Sequence, residues 1–170
     1  MIQKKICMVG VFGTGKTCLV QQYVHSIFSA KYLTTVGVKI DKKQVKVGDE
    51  DVNLLLWDLE GRDGIRDITT SYIRGAHGVI YVADGTRRET VDQLADIRKL
   101  VTDSVGDIPS VIALNKIDLT DDWKLSKADE ESAGGEGIHR LKTSAKTGEG
   151  VEEAFLWLAQ TTLAHPGNSK

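Results

Sequence analysis

The sequence predicts an α/β domain on a mostly parallel sheet of about six strands, because short apolar runs alternate along it with segments of helical period. A second observation supports the same reading: a glycine-rich turn ending in Lys16-Thr17 stands between the first apolar run and the first helical segment. Residues 2–9 form the first strand. Residues 16–28 follow as a helix, with Leu19, Val20, Tyr23, Val24 and Ile27 at helical spacing. Residues 38–47 and 52–58 flank Gly48-Asp49-Glu50-Asp51 and read as an antiparallel edge hairpin. The polar, glycine-punctuated stretch 59–70 separates it from a buried strand at 78–84. An amphipathic helix at 90–102 and a second buried strand at 110–115 come next. Residues 126–133 read as a helix stopped by Gly134-Gly135, residues 137–141 as the last strand and 151–164 as the last helix.

Composition narrows the function. With 22 Lys and Arg against 24 Asp and Glu, a net charge of −2 lacks the positive field that a nucleic-acid backbone requires. Two cysteines exclude a disulfide framework, and neither has a metal-ligand spacing. No apolar run approaches the roughly 18 residues of a membrane helix. There is no signal peptide, no glycine after Met1 and no cysteine at the C-terminus, so the reading is a cytoplasmic monomer without a membrane anchor. His25, His77, His139 and His165 are scattered and form no catalytic or metal constellation. Trp57 and Trp157 sit in apolar runs and read as core, while Trp123, after Asp121-Asp122, reads as an exposed contact residue.

Gly10-Val11-Phe12-Gly13-Thr14-Gly15-Lys16-Thr17 fits G-x-x-x-x-G-K-[ST] where the mechanism needs it, after a strand and opening a helix. Such a loop turns successive N–H groups toward a phosphate, and the helix dipole adds to the attraction. Lys16 would reach the β- and γ-phosphates and the Thr17 hydroxyl would bind Mg²⁺. This motif alone leaves ATP and GTP open. Asp58 ends the run Leu54-Leu55-Leu56-Trp57, which places a carboxylate at a strand's C-terminal end, where open α/β sheets bind ligands and Mg²⁺ can be held through water. Gly61 can bring its backbone N–H close to a γ-phosphate, since no Cβ intervenes.

Asn115-Lys116-Ile117-Asp118 follows the strand at 110–115. The Asp118 carboxylate can accept from both N1–H and the 2-amino group of guanine, a pair adenine does not offer, so Asp118 selects GTP. Asn115 can bridge neighbouring loops, and the Lys116 stem can pack on the base. Ser144-Ala145-Lys146 supplies the Ala145 N–H to the guanine oxygen.

From Ile2 to about Ala164 the chain resembles a small GTPase of the Ras superfamily, and all five guanine-nucleotide motifs can be placed. Thr34-Thr35-Val36-Gly37-Val38, Trp57-Asp58 and Tyr72-Ile73-Arg74-Gly75-Ala76 are most similar to the Rab branch. The resemblance implies a P-loop G domain over residues 1–165 with a six-stranded sheet flanked by about five helices, a short tail at 166–170, and a switch that binds Mg-GTP or GDP, hydrolyses GTP and changes shape at two loops. Effectors, exchange factors and activating factors would engage residues 29–37 and 59–72. By the same resemblance Thr35, with Thr34 as its neighbouring competitor, binds Mg²⁺ and the γ-phosphate. Phe28 packs on the base unless it is a helix-end core residue, Tyr32 closes over the phosphates, and the Cys18 N–H meets the α-phosphate.

Three positions depart from the family. Arg62 stands where a glutamine orients the attacking water, and a guanidinium has donors but no acceptor. Phe12 replaces a small residue and would crowd an incoming arginine finger. Glu60 replaces a small residue beside the γ-phosphate; it is expected to turn outward, pair with Arg62 or a lysine, or approach Mg²⁺. The expectation is slow hydrolysis, with two alternatives: Arg62 acting as a finger in cis, or a GTP-binding scaffold that hardly turns over.

Overall fold

Strand β1 (Ile2–Val9) runs through the middle of a six-stranded sheet of order β2-β3-β1-β4-β5-β6. The computed structural model describes residues 2–28, 38–59 and 70–165. Within β1 the side chains alternate between two cores: Cys7 and Val9 enter one, Ile6 and Met8 the other. This is the period-2 consequence of a strand covered on both faces. It also explains why β4 (Gly78–Asp84) is buried at every residue and reads as an uninterrupted apolar run.

β2 (Val38–Val47) and β3 (Glu50–Leu59) are the antiparallel pair, and all the other pairings are parallel. The hairpin is tighter than its composition suggests, since Val47 pairs with Glu50 and Lys46 with Asp51. Gly48, at φ 62°, supplies the left-handed residue that so short a turn requires. Helix α1 (Lys16–His25) packs Leu19, Val20 and Tyr23 against the sheet. Tyr23 stacks on Phe155 of α6 (Val151–Ala164) with ring centroids 4.0 Å apart. It ends earlier than its periodicity predicts because Ser26 adopts φ 55° and ψ 36° and donates its N–H to the Gln22 carbonyl. Ile27 is therefore 55% exposed rather than in the core.

On the other face, the single helix expected at 90–102 is two helices, following the one-turn α2 (Thr70–Ile73): α3 (Arg88–Asp92) and α4 (Leu94–Val105), with a break at Gln93. The buried face continues through Val91, Leu94, Ile97 and Val101, so periodicity could not register the break. Helix α5 (Lys127–Ser132) is capped reciprocally, Ser126 Oγ accepting from the Asp129 N–H at 3.1 Å and the Asp129 carboxylate from the Ser126 N–H at 2.8 Å. A 3₁₀ turn at Thr120–Asp122 carries no sequence signal. Between β5 (Ser110–Asn115) and β6 (His139–Thr143) the register joins Val111 to His139 and Asn115 to Thr143. That pairing moves the last strand beyond its expected bounds, and Gly137, at φ 72°, belongs to the preceding turn.

All three tryptophan assignments change. Trp57 is only partly buried, with Lys5 Nζ 3.7 Å from its ring centroid. Trp123 is not an exposed contact residue: its ring covers Gly85 so closely that a Cβ there would overlap it, and its Nε1 donates to Glu130 at 3.0 Å. Trp157 is half-buried and stacks on His139. Among the described residues no helix is long and apolar enough to cross a membrane, and no group of three or more His, Cys, Asp and Glu side chains could hold a metal.

Both cysteines are free. Burial pushes the Cys7 thiol up to about 12 and raises that of the half-buried Cys18 more modestly. Since the thiolate is the reacting species, a disulfide-exchange reagent at pH 8 should label Cys18 at most. The second thiol should appear only when denaturant is added, and labelling of two thiols in the native protein would contradict this packing.

Candidate functional site

The C-terminal ends of β1, β3, β4, β5 and β6 converge on one edge of the sheet. The register sets Met8 beside Asp58, Asp84 beside Asn115, and Asn115 beside Thr143. This edge contains the point where the chain's crossovers change direction around β1, the place where ligands of doubly wound sheets collect.

The turn from Gly10 to Lys16 is wrapped so that each carbonyl from Gly10 to Thr14 faces a donor. Lys16 Nζ donates to Gly10 O and Val11 O, both at 3.0 Å, and Thr14 Oγ1 donates to Val11 O at 3.1 Å. Arg87 Nη1 reaches Phe12 O at 3.1 Å, Lys116 Nζ reaches Gly13 O at 3.2 Å, and Asn115 Nδ2 reaches Thr14 O at 3.0 Å. In a planar trans peptide the N–H points opposite the carbonyl, so the grips of Arg87, Lys116 and Asn115 turn the N–H groups of Gly13, Thr14 and Gly15 away from those side chains. Two glycines make the wrap possible: Gly13 has φ 80° and Gly15 φ 101°. A Cβ on Gly15 would overlap Asn115 Nδ2, and one on Gly10 would overlap Val82 O.

The cradle carries an anion's counter-charge. Lys16 is 6% exposed, and burial lowers its ammonium to about 8 while the nearby Asp58 charge pulls it upward. A desolvated ammonium on two carbonyls at the N-terminus of α1 suits phosphate oxygens, which would restore the protonated form. Thr17 Oγ1 donates to Asp58 Oδ2 at 2.6 Å, and Asp58 is 1% exposed. A hydroxyl oxygen and a carboxylate this close at the mouth of the cradle are a fitting oxygen donor set for Mg²⁺.

On the far side, Asn115 (1% exposed) accepts from Thr143 Oγ1 at 3.1 Å while it grips Thr14 O, so it ties β5, β6 and the cradle together. Lys116, at φ 74°, turns the chain, and its ammonium pairs with Asp84 at 2.9 Å. The Ile117 N–H bonds Thr143 O at 3.0 Å, and Ser144 Oγ donates to Asp118 Oδ1 at 2.7 Å. Ala145 is held by Gln22 Nε2, which donates to its carbonyl at 2.7 Å; Lys146 beside it is exposed. The two segments expected to read a base, 115–118 and 144–146, are thus joined to each other and to the cradle.

Phe12, Cys18 and Lys116 are half-buried around this edge. Phe28 lies beyond the end of α1 and is 42% exposed, which excludes the plain core role for it. Thr34, Thr35, Tyr32, Glu60, Gly61 and Arg62 lie outside the described residues. Sequence reasoning missed Asp84, Arg87, Gln22 and Thr143. Asp84 had a visible signal, a carboxylate closing the apolar run at 78–83 just as Asp58 closes its own; the other three act through long-range hydrogen bonds that leave no local pattern.

Comparison with known proteins agrees with this geometry. The sequence model of the Ras family matches residues 5–164. The chain is 38% identical over 164 residues to Ras-related protein Rab-4B of Rattus norvegicus, covering 94% of this chain and 76% of that one. It is 34% identical over 161 residues to Ras-related protein Rab-8B of Homo sapiens, covering 94% and 78%. Ras-related protein Rab-1 of Theileria annulata is 36% identical over 163 residues, covering 92% and 72%. These matches over nearly the whole chain place it in the Ras family of small GTP-binding switches, with a Rab-like sequence.

Proposed function

We propose that this chain is a guanine-nucleotide switch that holds Mg-GTP or GDP at the sheet edge and hydrolyses GTP slowly. The observation that carries the reading is the bonded chain Asp118–Ser144 and Thr143–Asn115–Thr14, which joins a carboxylate suited to guanine to the phosphate cradle. Phe12, Gly13, Thr14, Gly15, Lys16, Thr17 and Cys18 take the phosphates. Phe28, Asn115, Lys116, Asp118, Ser144, Ala145 and Lys146 take the base, and Tyr32 covers the nucleotide. Thr17, Asp58 and Thr35 hold Mg²⁺, which when bound neutralises charge developing on the phosphate oxygens. Lys16 and the N–H groups of the cradle stabilise the same charge, and the Gly61 N–H orients the terminal phosphate.

Arg62 offers the attacking water no acceptor, and the Phe12 ring fills space an activating arginine would need. Slow turnover follows. The direct test is single-turnover: load stoichiometric GTP with Mg²⁺ and follow bound GTP and GDP by chromatography over hours. Arg62→Gln combined with Phe12→Gly should speed conversion by about tenfold or more, given the usual contribution of a water-orienting group. No gain in the double variant would sink the explanation. Bound GTP that never converts would instead support the scaffold reading, which the same substitutions favour.

Protein effectors and regulators are proposed to meet the segments 29–37 and 59–72 together with the sheet between them. Ile40, 51% exposed, lies opposite Trp57 in the hairpin register, and the Tyr72 carbonyl accepts from Cys7 beside them. The exposed Ile40 beside the partly buried Trp57 supports a partner surface there.

A further inference from the structure

The structure assigns to Arg87 the role of a positioning residue that aims the Gly13 N–H of the phosphate cradle and thereby slows nucleotide release. The assignment rests on the reading that the cradle binds guanine nucleotide. It starts from a single carboxylate, Asp84, at the end of β4 and 1% exposed. Asp84 Oδ2 pairs with Lys116 at 2.9 Å. Its Oδ1 accepts from the Thr86 N–H at 2.9 Å and the Thr86 hydroxyl at 2.6 Å, which folds the chain into a side-chain-closed turn. The Arg87 N–H closes the same turn onto Asp84 O at 2.9 Å. Thr90 then clamps it from the helix side, its hydroxyl lying 2.7 Å from Arg87 O and receiving the Asp84 N–H at 2.8 Å.

The Arg87 backbone is thus held by hydrogen bonds to Asp84 and Thr90 before its side chain is considered. The guanidinium is then shared. Nε bonds the exposed Glu89 carboxylate at 3.2 Å, and Nη1 bonds Phe12 O at 3.1 Å. One carboxylate therefore organises two cations that grip successive cradle carbonyls, Lys116 on Gly13 and Arg87 on Phe12. By peptide planarity, the Arg87 grip aims the N–H of Gly13 and the Lys116 grip that of Thr14. Position 12 needs an external tether: it lies beyond the carbonyls that Lys16 holds, carries a half-buried phenyl ring, and precedes a glycine at φ 80°. Without Arg87 the Phe12 carbonyl loses its charged donor, and the aim of the Gly13 N–H is loosened.

The test is release of a fluorescent GDP analogue from the full chain in Mg²⁺, chased with excess unlabelled GDP, with melting of the loaded protein measured in parallel. Arg87→Ala should release the analogue about tenfold faster, the scale of one charge-assisted hydrogen bond. Arg88→Ala removes the same charge from the next residue, whose guanidinium is bonded outward to Asp129 at 3.0 Å, and should leave release unchanged. Arg87→Lys keeps the charge without the fork and should fall between wild type and Arg87→Ala. Equal release from Arg87→Ala and Arg88→Ala would overturn the proposal, because through-space charge would then account for both. If Arg87→Ala does not fold, Arg87→Lys decides, and a wild-type rate there overturns it. Failure of the wild-type protein to bind the analogue would defeat the nucleotide reading itself, and this proposal with it.

Discussion

Replacing Asp118 by Asn should exchange the base preference, lowering affinity for GTP by about a thousandfold and raising that for xanthosine triphosphate. Guanine presents two donors, N1–H and the 2-amino group, to a carboxylate that accepts both. Asn offers one acceptor and one donor, and its amide N–H₂ faces the 2-amino group without a bond. Xanthine carries an oxygen at that place and restores it. The substitution is close to isosteric, and its carbonyl can still accept from Ser144 Oγ, now 2.7 Å from Asp118 Oδ1, so the loop pairing should persist. Titration of both nucleotides in fluorescent form, beside a melting curve, reads the result. Loss of GTP binding without a gain for xanthosine triphosphate would make Asp118 a structural brace rather than a base-reading residue.

A methyl group on Gly15 should be nearly as damaging. Gly15 has φ 101°, a region that side chains avoid, and its Cβ would overlap Asn115 Nδ2. Asn115 cannot yield cheaply, since that nitrogen bonds Thr14 O and its oxygen accepts from Thr143. Gly15→Ala should therefore cost about 2–4 kcal/mol of stability, from backbone strain plus a broken buried network. It should lower nucleotide affinity by at least about a hundredfold through displacement of the cradle. Denaturant unfolding and nucleotide titration measure the two effects separately. An unchanged melting point with lost affinity would mean that Asn115 can rearrange and that the loop alone carries the defect. Unchanged values for both would contradict the packing.

Most of the scaffold could be read from the chain because the sheet's centre is buried on both faces and must be apolar. β1, β4 and β5 have their expected bounds for that reason. Misjudged ends occur where a tertiary bond overrides periodicity: α1 stops where Ser26 turns left-handed, and β6 is displaced to keep register with β5. Gln93 interrupts a helix whose buried face nevertheless continues. Trp123 shows the same limit. Its acidic neighbours suggest solvent, yet Gly85, far away in sequence, leaves a slot that accepts the ring.

The site divides along the same line. Cradle, strand-end carboxylate and proposed base-reading loop are each contiguous stretches whose residue types suit phosphate, Mg²⁺ and guanine, and so the sequence by itself determined them as candidates, along with the family and the departures at Phe12, Glu60 and Arg62. Only the tertiary structure decided how the stretches are held together. It revealed Asp84 directing Lys116 and Arg87 onto neighbouring carbonyls, Thr143 and Asn115 bridging to Thr14, and Gln22 securing Ala145. The physical reason is that a backbone carbonyl offers the same acceptor at every residue. Which donor reaches it depends on where strands end in space and leaves no mark in local composition.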